Sequence, residues 1–427
     1  MTGRGLTDLE RRVLDHLDET LLVERLATLV RVPSISGTAA EHEVQAVAAE
    51  MLREEGMAVD HWEIDLDELQ ADSWFPGVEV ERETAWGLVA SSAPVDHTPA
   101  LVLQAHLDVV PPGDPESWHG TDPFSAEING GLLYGRGACD MKAGAAANLG
   151  VRQAIRAAGI ELDGPLALHF VVGEEDGGLG AFATLRRGHR GEAAVITEPT
   201  GGRLVVANAG ALTFRIEVSG RSAHGSMRRS GVSAFEAFLP VYDALMQLEA
   251  DRNVTVDPLF GDRTHPYALS LGIVSAGDWA SSVPDKLVAE GRFGVVLDED
   301  PRMARTAFED AVTEASLKDS WLRENRPAVT WPGGQFASGR LDPEHPLVAD
   351  VQTAVRDVGG EAGEPCADVY GSDLRLYSGI GGIPTLHYGP GDPLLAHAPL
   401  EHVAIDDLIE VTRAMTVLAL RRCGVAG

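Results

Sequence analysis

Lysine is nearly absent from this chain. Its 34 basic residues include only Lys142, Lys286 and Lys318, set against 65 acidic residues, for a formal charge of −31. A field of that sign repels nucleic acid and anionic membrane surfaces, so neither is an expected partner. Cysteine is scarce as well. Cys139, Cys366 and Cys423 are too few and too scattered for a disulfide framework or a thiolate metal site. No run of about 18 apolar residues occurs, so no membrane-spanning helix is expected. The N-terminal stretch carries Asp8, Glu10, Asp15, Asp18, Glu19 and Glu24 and lacks the apolar segment of a signal peptide. A cytoplasmic location is the expectation that follows. There is no internal repeat and no low-complexity linker.

What is present is a chain of 427 residues with 44 % apolar content, long enough for two cores. Leucines at helical spacing predict a helix over 8–31, and a second fits 40–55. Short apolar runs at 100–105, 166–173 and 193–197 suit strands buried on both faces, with a helix through 142–158 between the first two. Strands alternating with helices predict an α/β domain with a mostly parallel sheet. At about 211 the texture changes to apolar–polar alternation. Strands at 213–219, 267–275, 286–297 and 327–331, with helices at 232–250 and 301 to about 324, give the order β-α-β-β-α-β of an α+β domain. After 340 the α/β texture resumes, with helices near 346–358 and 404–422 around a strand at 384–388. The predicted domains are 1–210 and 335–427, forming one catalytic unit, and an inserted 211–334.

The chemistry gathers where the buried strands end, the usual ligand crevice of an open α/β sheet. The first runs into His106-Leu-Asp108, the second into Glu174-Glu175 and the third into Glu198-Pro-Thr. Between the first two, the glycine-rich Gly135-Arg-Gly-Ala-Cys-Asp140-Met-Lys turn presents Asp140. Near the end comes His397-Ala-Pro-Leu-Glu401. Carboxylates buried together cannot stay ionised without cations. Imidazole with carboxylate suits zinc, and also cobalt or manganese. The count fits two ions, with Asp140 bridging, His106 and Glu198 on one side, and Glu175 and His397 on the other. Ions held about 3.5–4 Å apart make a shared water acidic enough to attack an amide carbonyl. One of the adjacent glutamates then holds metal while the other takes the proton and passes it to the leaving nitrogen. Asp108 is placed to accept a hydrogen bond from the His106 ring and fix its tautomer.

Those motifs, His106-Leu-Asp108, Gly137-Ala-Cys-Asp140-Met-Lys, Gly173-Glu-Glu175-Asp, Glu198-Pro-Thr and His397-Ala-Pro-Leu-Glu401, resemble the M20 family of metallohydrolases over nearly the whole chain. The resemblance implies a zinc-peptidase-like catalytic domain with a lid that dimerises. It makes Glu174 the general base, Asp140 the shared ligand and the Asp140–Met141 bond cis. It also implies that His224, in Gly220-Arg-Ser-Ala-His224-Gly-Ser, reaches the active site of a second subunit and hydrogen-bonds the developing oxyanion. Arg375, in Gly371-Ser-Asp-Leu-Arg375, and Arg292 in the lid are candidates for gripping a substrate carboxylate. Where many relatives carry asparagine before a Val-Pro pair, this chain has Ser282.

The activity implied is hydrolysis of the amide of an N-acyl amino acid, as in the acetylornithine deacetylase and succinyl-diaminopimelate desuccinylase group. The alternatives are a dipeptidase or carboxypeptidase, an N-carbamoyl amino acid hydrolase, and a non-catalytic binding protein on a retired enzyme fold. His119, His169, His387 and His402 lack a partner motif and are expected to pack or face solvent, and Cys139 is expected to pack.

Overall fold

Apolar runs of about six residues are too short for stable helices and become buried strands. The structure, a computed structural model, describes residues 5–93 and 97–426. They fall into two compact units, one of residues up to 207 with 340–366 and 372 onward, the other of 208–339 with 367–371. In chain order the first part holds α1 (Asp8–Leu14), α2 (Glu19–Val30), α3 (Ala40–Glu54), β1 (Ala58–Glu63), α4 (Leu66–Ala71), β2 (Trp86–Ser91), β3 (Leu101–His106), β4 (Glu127–Asn129), β5 (Leu132–Tyr134), α5 (Ala143–Ala157), β6 (Leu166–Val171), α6 (Leu179–Arg186), β7 (Ala194–Ile196) and β8 (Leu204–Asn208). The middle part holds β9 (Gly210–Ser219), α7 (Ala234–Arg252), β10 (Leu269–Ala276), β11 (Lys286–Val295), α8 (Pro301–Lys318), β12 (Ala328–Thr330) and β13 (Gln335–Phe336). The chain closes with β14 (Gly339–Arg340), α9 (Pro346–Asp357), β15 (Pro365–Asp368), β16 (Thr385–His387), β17 (His402–Ala404) and α10 (Ile405–Cys423).

The large sheet has the order β1-β2-β6-β3-β7-β16-β8-β14, with β15 beside β8. Its centre is parallel, since β3 pairs with β6 and β7, and β7 with β16. β1 and β2 extend it antiparallel on one side, and β8 pairs antiparallel with β16 on the other. Every residue of β3 and β6 is buried, as continuous apolar runs require of strands covered on both faces. Leu22 and Leu26 of α2, Ala143, Ala146 and Ala147 of α5, and Leu408 of α10 pack together in one cluster. The second unit is an antiparallel sheet of order β10-β11-β9-β12, with β13 also on β9. Along β9, Leu212, Phe214, Ile216 and Val218 face a core shared with α7 and α8, while the residues between them are only half-buried. Among the described residues no helix is long and apolar enough to cross a membrane.

Two local expectations are revised. The helix predicted over 8–31 is two helices, because the Asp18 carboxylate accepts the N–H of Leu21 at 2.9 Å and starts a new one. The helix expected to reach about 324 stops at Lys318, and Asp319 takes the N–H groups of Trp321 and Leu322. Residues 58–91 form the β1–β2 hairpin of the sheet, with α4 in its loop.

His169 of β6 is fully buried, and its Nδ1 is 2.8 Å from the Tyr377 hydroxyl. Burial, aided by nearby His189, lowers its pKa to about 3. The folded ring is therefore neutral where the unfolded one takes a proton. This contribution to stability is complete above about pH 6.5 and is lost as pH falls toward the folded value. His169→Gln should flatten the fall of the urea midpoint between pH 7 and pH 4.5. Parallel curves for the two proteins would remove His169 as the cause.

Candidate metal centre

β3 ends on His106, whose ring is buried and whose Nδ1 donates to the Asp108 carbonyl at 2.9 Å. That bond turns Nε2 toward the cleft with its lone pair free. Nε2 lies 3.1 Å from Asp140 Oδ1 and 3.8 Å from Glu198 Oε1. The other oxygen of Asp140 lies 3.4 Å from His397 Nε2, which in turn is 2.9 Å from Glu175 Oε2. One carboxylate thus faces two imidazoles from segments far apart in the chain. Ligand atoms of His106, Asp140 and Glu175 lie within 4.8 Å of one another, and so do those of His106, Glu174 and Glu198. The peptide bond from Asp140 to Met141 is cis.

Each segment is braced. The Glu401 carboxylate accepts the N–H groups of Cys139 and Asp140, both at 2.9 Å, and pairs with Arg136 at 2.6 Å. Arg136 also donates to the carbonyl of His397 at 3.1 Å, tying the loops of Asp140 and His397 together. Cys139 points away from the cleft, its thiol against the Asp392 carbonyl. A Cβ on Gly391, at φ 101, would lie 2.5 Å from that sulfur. Thr197 Oγ1 donates to the Gln104 carbonyl and accepts from Asn148, anchoring the strand end before Glu198.

The electrostatics call for cations. Burial raises Glu174, Glu175 and Glu198 above the ordinary carboxylate range, and neighbouring acids raise them further. Hydrogen bonds and charge from Asp140 and Glu175 push His397 up to about 11. His106 is raised well above its usual value by Glu198, Asp108 and Asp140 against the cost of its burial. Oε1 of Glu175 is buried with no hydrogen-bond partner. Imidazoles that cling to protons and a buried carboxylate oxygen with nothing to accept from are what divalent cations would satisfy. The donor set of nitrogen and carboxylate oxygen suits zinc and its neighbours.

Residues 102–421 match peptidase family M20/M25/M40. The chain belongs to this family. It is 29 % identical to the N-formyl-4-amino-5-aminomethyl-2-methylpyrimidine deformylase of Bacillus subtilis, over 97 % of each chain. It is 28 % identical to the succinyl-diaminopimelate desuccinylase of Polynucleobacter necessarius, over 62 % of this chain and 70 % of the other. Its fold is that of the yeast dipeptidase Dug1p from Saccharomyces cerevisiae, with a TM-score of 0.75 at 15 % identity, over 97 % of this chain and 98 % of that one. This M20 protein is accordingly a hydrolase of amide bonds.

The remaining candidates fall differently. In the M20 site, the Asp108 carboxylate is not the hydrogen-bond partner of His106, lying 3.6 Å from Nδ1. The chain turns back so that the main-chain carbonyl takes that role. The carboxylate instead accepts from Ser36 and faces the N–H groups of Glu174 and Glu175, each at 3.3 Å. Arg375 is buried, with its donors on the carbonyls of Ser372 and Gly177, both at 2.6 Å. Arg292 and His224 lie in the other unit. Arg292 donates to the Val369 carbonyl at 2.7 Å, and His224 is exposed, bridged to Ser282. Sequence reasoning gave no role to Arg136, Glu401 or the buried Asp373. Each lay inside a motif noted for a neighbour: Arg136 in the turn before Asp140, Asp373 in the stretch before Arg375, and Glu401 at the end of the His397 motif.

Glu401→Ala should free the Asp140 loop without removing a ligand. Metal affinity, read by competition with a chelator, should fall about 10–100-fold. An unchanged affinity would mean that Glu401 does not hold the site.

Proposed function

We propose that this M20 protein is a deacylase that binds two divalent ions, zinc first among them, and releases a small acyl group from an amine nitrogen. The observation that carries this reading is Asp140, with one oxygen toward His106 and the other toward His397. His106 and Glu198 would hold one ion, Glu175 and His397 the other, and Asp140 both. Bound there, the ions polarise the amide carbonyl and lower the pKa of water. Glu174 supplies the proton relay. Burial raises its proton affinity, as a group needs that must take a proton and surrender it to the leaving nitrogen.

His224 is proposed to steady the oxyanion from a second subunit. Its Nδ1 accepts the N–H of Ser226, which leaves the N–H on Nε2, an exposed donor. Two features of the second unit support a homodimer. α7 exposes Phe235, Leu239 and Tyr242 at helical spacing, and β10 is an unpaired edge exposing Ile273 and Val274.

An N-acyl amino acid substrate needs a grip for its carboxylate, and both arginines considered for it already bind main-chain carbonyls. That favours an amine lacking the carboxylate, such as the aminomethylpyrimidine in the name of the Bacillus relative. With added Zn²⁺, N-formylbenzylamine should be cleaved at least as well as N-formylglycine. Glu174→Gln should lose about 10²–10⁴-fold in kcat while keeping its metal. Retention of full activity by that variant would end the general-base assignment, and strong preference for N-formylglycine would restore the amino-acid reading. For the dimer, Leu239→Asp combined with Ile273→Lys should halve the mass seen by light scattering and abolish turnover. A wild-type protein of monomer mass, fully active, would refute trans action by His224.

A further inference from the structure

The turn carrying Glu174 and Glu175 contains three glycines at positive φ, Gly173 at 70°, Gly177 at 149° and Gly178 at 85°. Such a sequence has little conformational preference of its own, so contacts from outside must fix it. Two buried arginines provide them. Arg375 donates through Nη2 to the Gly177 carbonyl and through Nη1 to that of Ser372. Arg82, in the stretch between α4 and β2, places its fork on two carboxylates. Nη1 and Nη2 reach Asp176 at 2.7 and 2.9 Å, and Nε and Nη2 reach Glu41 at 2.9 and 2.8 Å. The same segment donates the N–H of Val80 to the Asp176 carboxylate and that of Glu79 to the Asp176 carbonyl. Gly177 is in turn pressed against the Gly77 carbonyl, 2.2 Å from where a Cβ would stand.

We infer that Arg82 and Arg375 are positioning residues that clamp the Glu174–Gly178 turn from two sides, and that neither binds substrate. The inference rests on the metal-centre reading above. Arg82 acts through Asp176, the neighbour of the ligand Glu175. Arg375 acts through Gly177 and also sets its charge beside Asp373 and Glu174. Guanidinium suits both places, since a planar fork satisfies two acceptors at once and lysine cannot copy it.

The experiment is calorimetric titration of metal-free protein with Zn²⁺ alone, followed by kinetics on N-formylbenzylamine and N-formylglycine. Wild type should take up two ions. Arg82→Met and Arg375→Met should bind one ion as wild type does and the other 10–100-fold more weakly. Their kcat should fall on both substrates with little change in KM. Arg421→Met, which breaks the Arg421–Glu10 pair between α10 and α1, controls for loss of a buried ion pair and should leave both ions bound tightly. Where the methionine variants do not fold, Arg375→Lys and Asp176→Asn take the same measurements and should show the same weakening of one ion. Two ions bound normally by every variant, with only KM for N-formylglycine raised, would overturn the inference and make Arg375 a substrate grip. Fewer than two ions in wild type would instead sink the two-metal reading and the inference with it.

Discussion

Carboxylates gathered in a buried cleft repel one another, and burial opposes the ionisation of each. The structure answers most of them individually. Asp108 has the Ser36 hydroxyl and two nearby main-chain N–H groups, Glu401 has Arg136 and two more, and Asp373 has Gln104. Asp140, Glu174, Glu175 and Glu198 are left facing one another, with His106 and His397 as the nitrogen donors among them. Protons on the imidazoles compensate only part of that charge. Divalent cations would compensate it where the acids converge, so the crowding that is costly without them is what suits the cluster to hold them.

The choice of cations around the site follows from the same constraint. Lys142, the lysine that is buried, has its ammonium on the carbonyls of Leu29 and Val32, and burial lowers its pKa to about 7. A charge that weakens so readily cannot reliably neutralise an acid. Arg82, Arg136 and Arg375 can, because a guanidinium stays protonated when desolvated. The scarcity of lysine seen in the composition thus has a counterpart in the interior, where arginine performs the permanent pairing.

Much of the architecture was legible because its signals are local. A buried strand is a short apolar run, and the crevice lies where such runs end, so His106, Glu174, Glu175 and Glu198 were placed at strand ends by pattern alone. The alternation along β9 likewise announced a different kind of sheet. What escaped was long-range. Arg136 pairs with Glu401 across 265 residues and Arg82 with Asp176 across 94, and no periodicity reports such pairs. Arg375 illustrates the same gap. Its residue type suggested a carboxylate grip, but its neighbours at Gly177 and Ser372 became visible only in three dimensions. Asp108 accepts from the His106 ring through its carbonyl, because a residue two positions past the histidine offers that oxygen as readily as its side chain.

These bracing contacts bear on how the site is held. The loop of Asp140 is fixed by Glu401, that of His397 by Arg136, the Glu174–Gly178 turn by Asp108 and two arginines, and the approach to Glu198 by Thr197. None of these contacts involves a metal. Protein contacts of this kind reduce the conformational cost of holding ligands around an ion. A site arranged in this way favours ions that accept its spacing and donor set over ions that would have to reshape it. Selectivity is then set by the braces as much as by the ligands, which is why residues that never touch metal should govern its affinity.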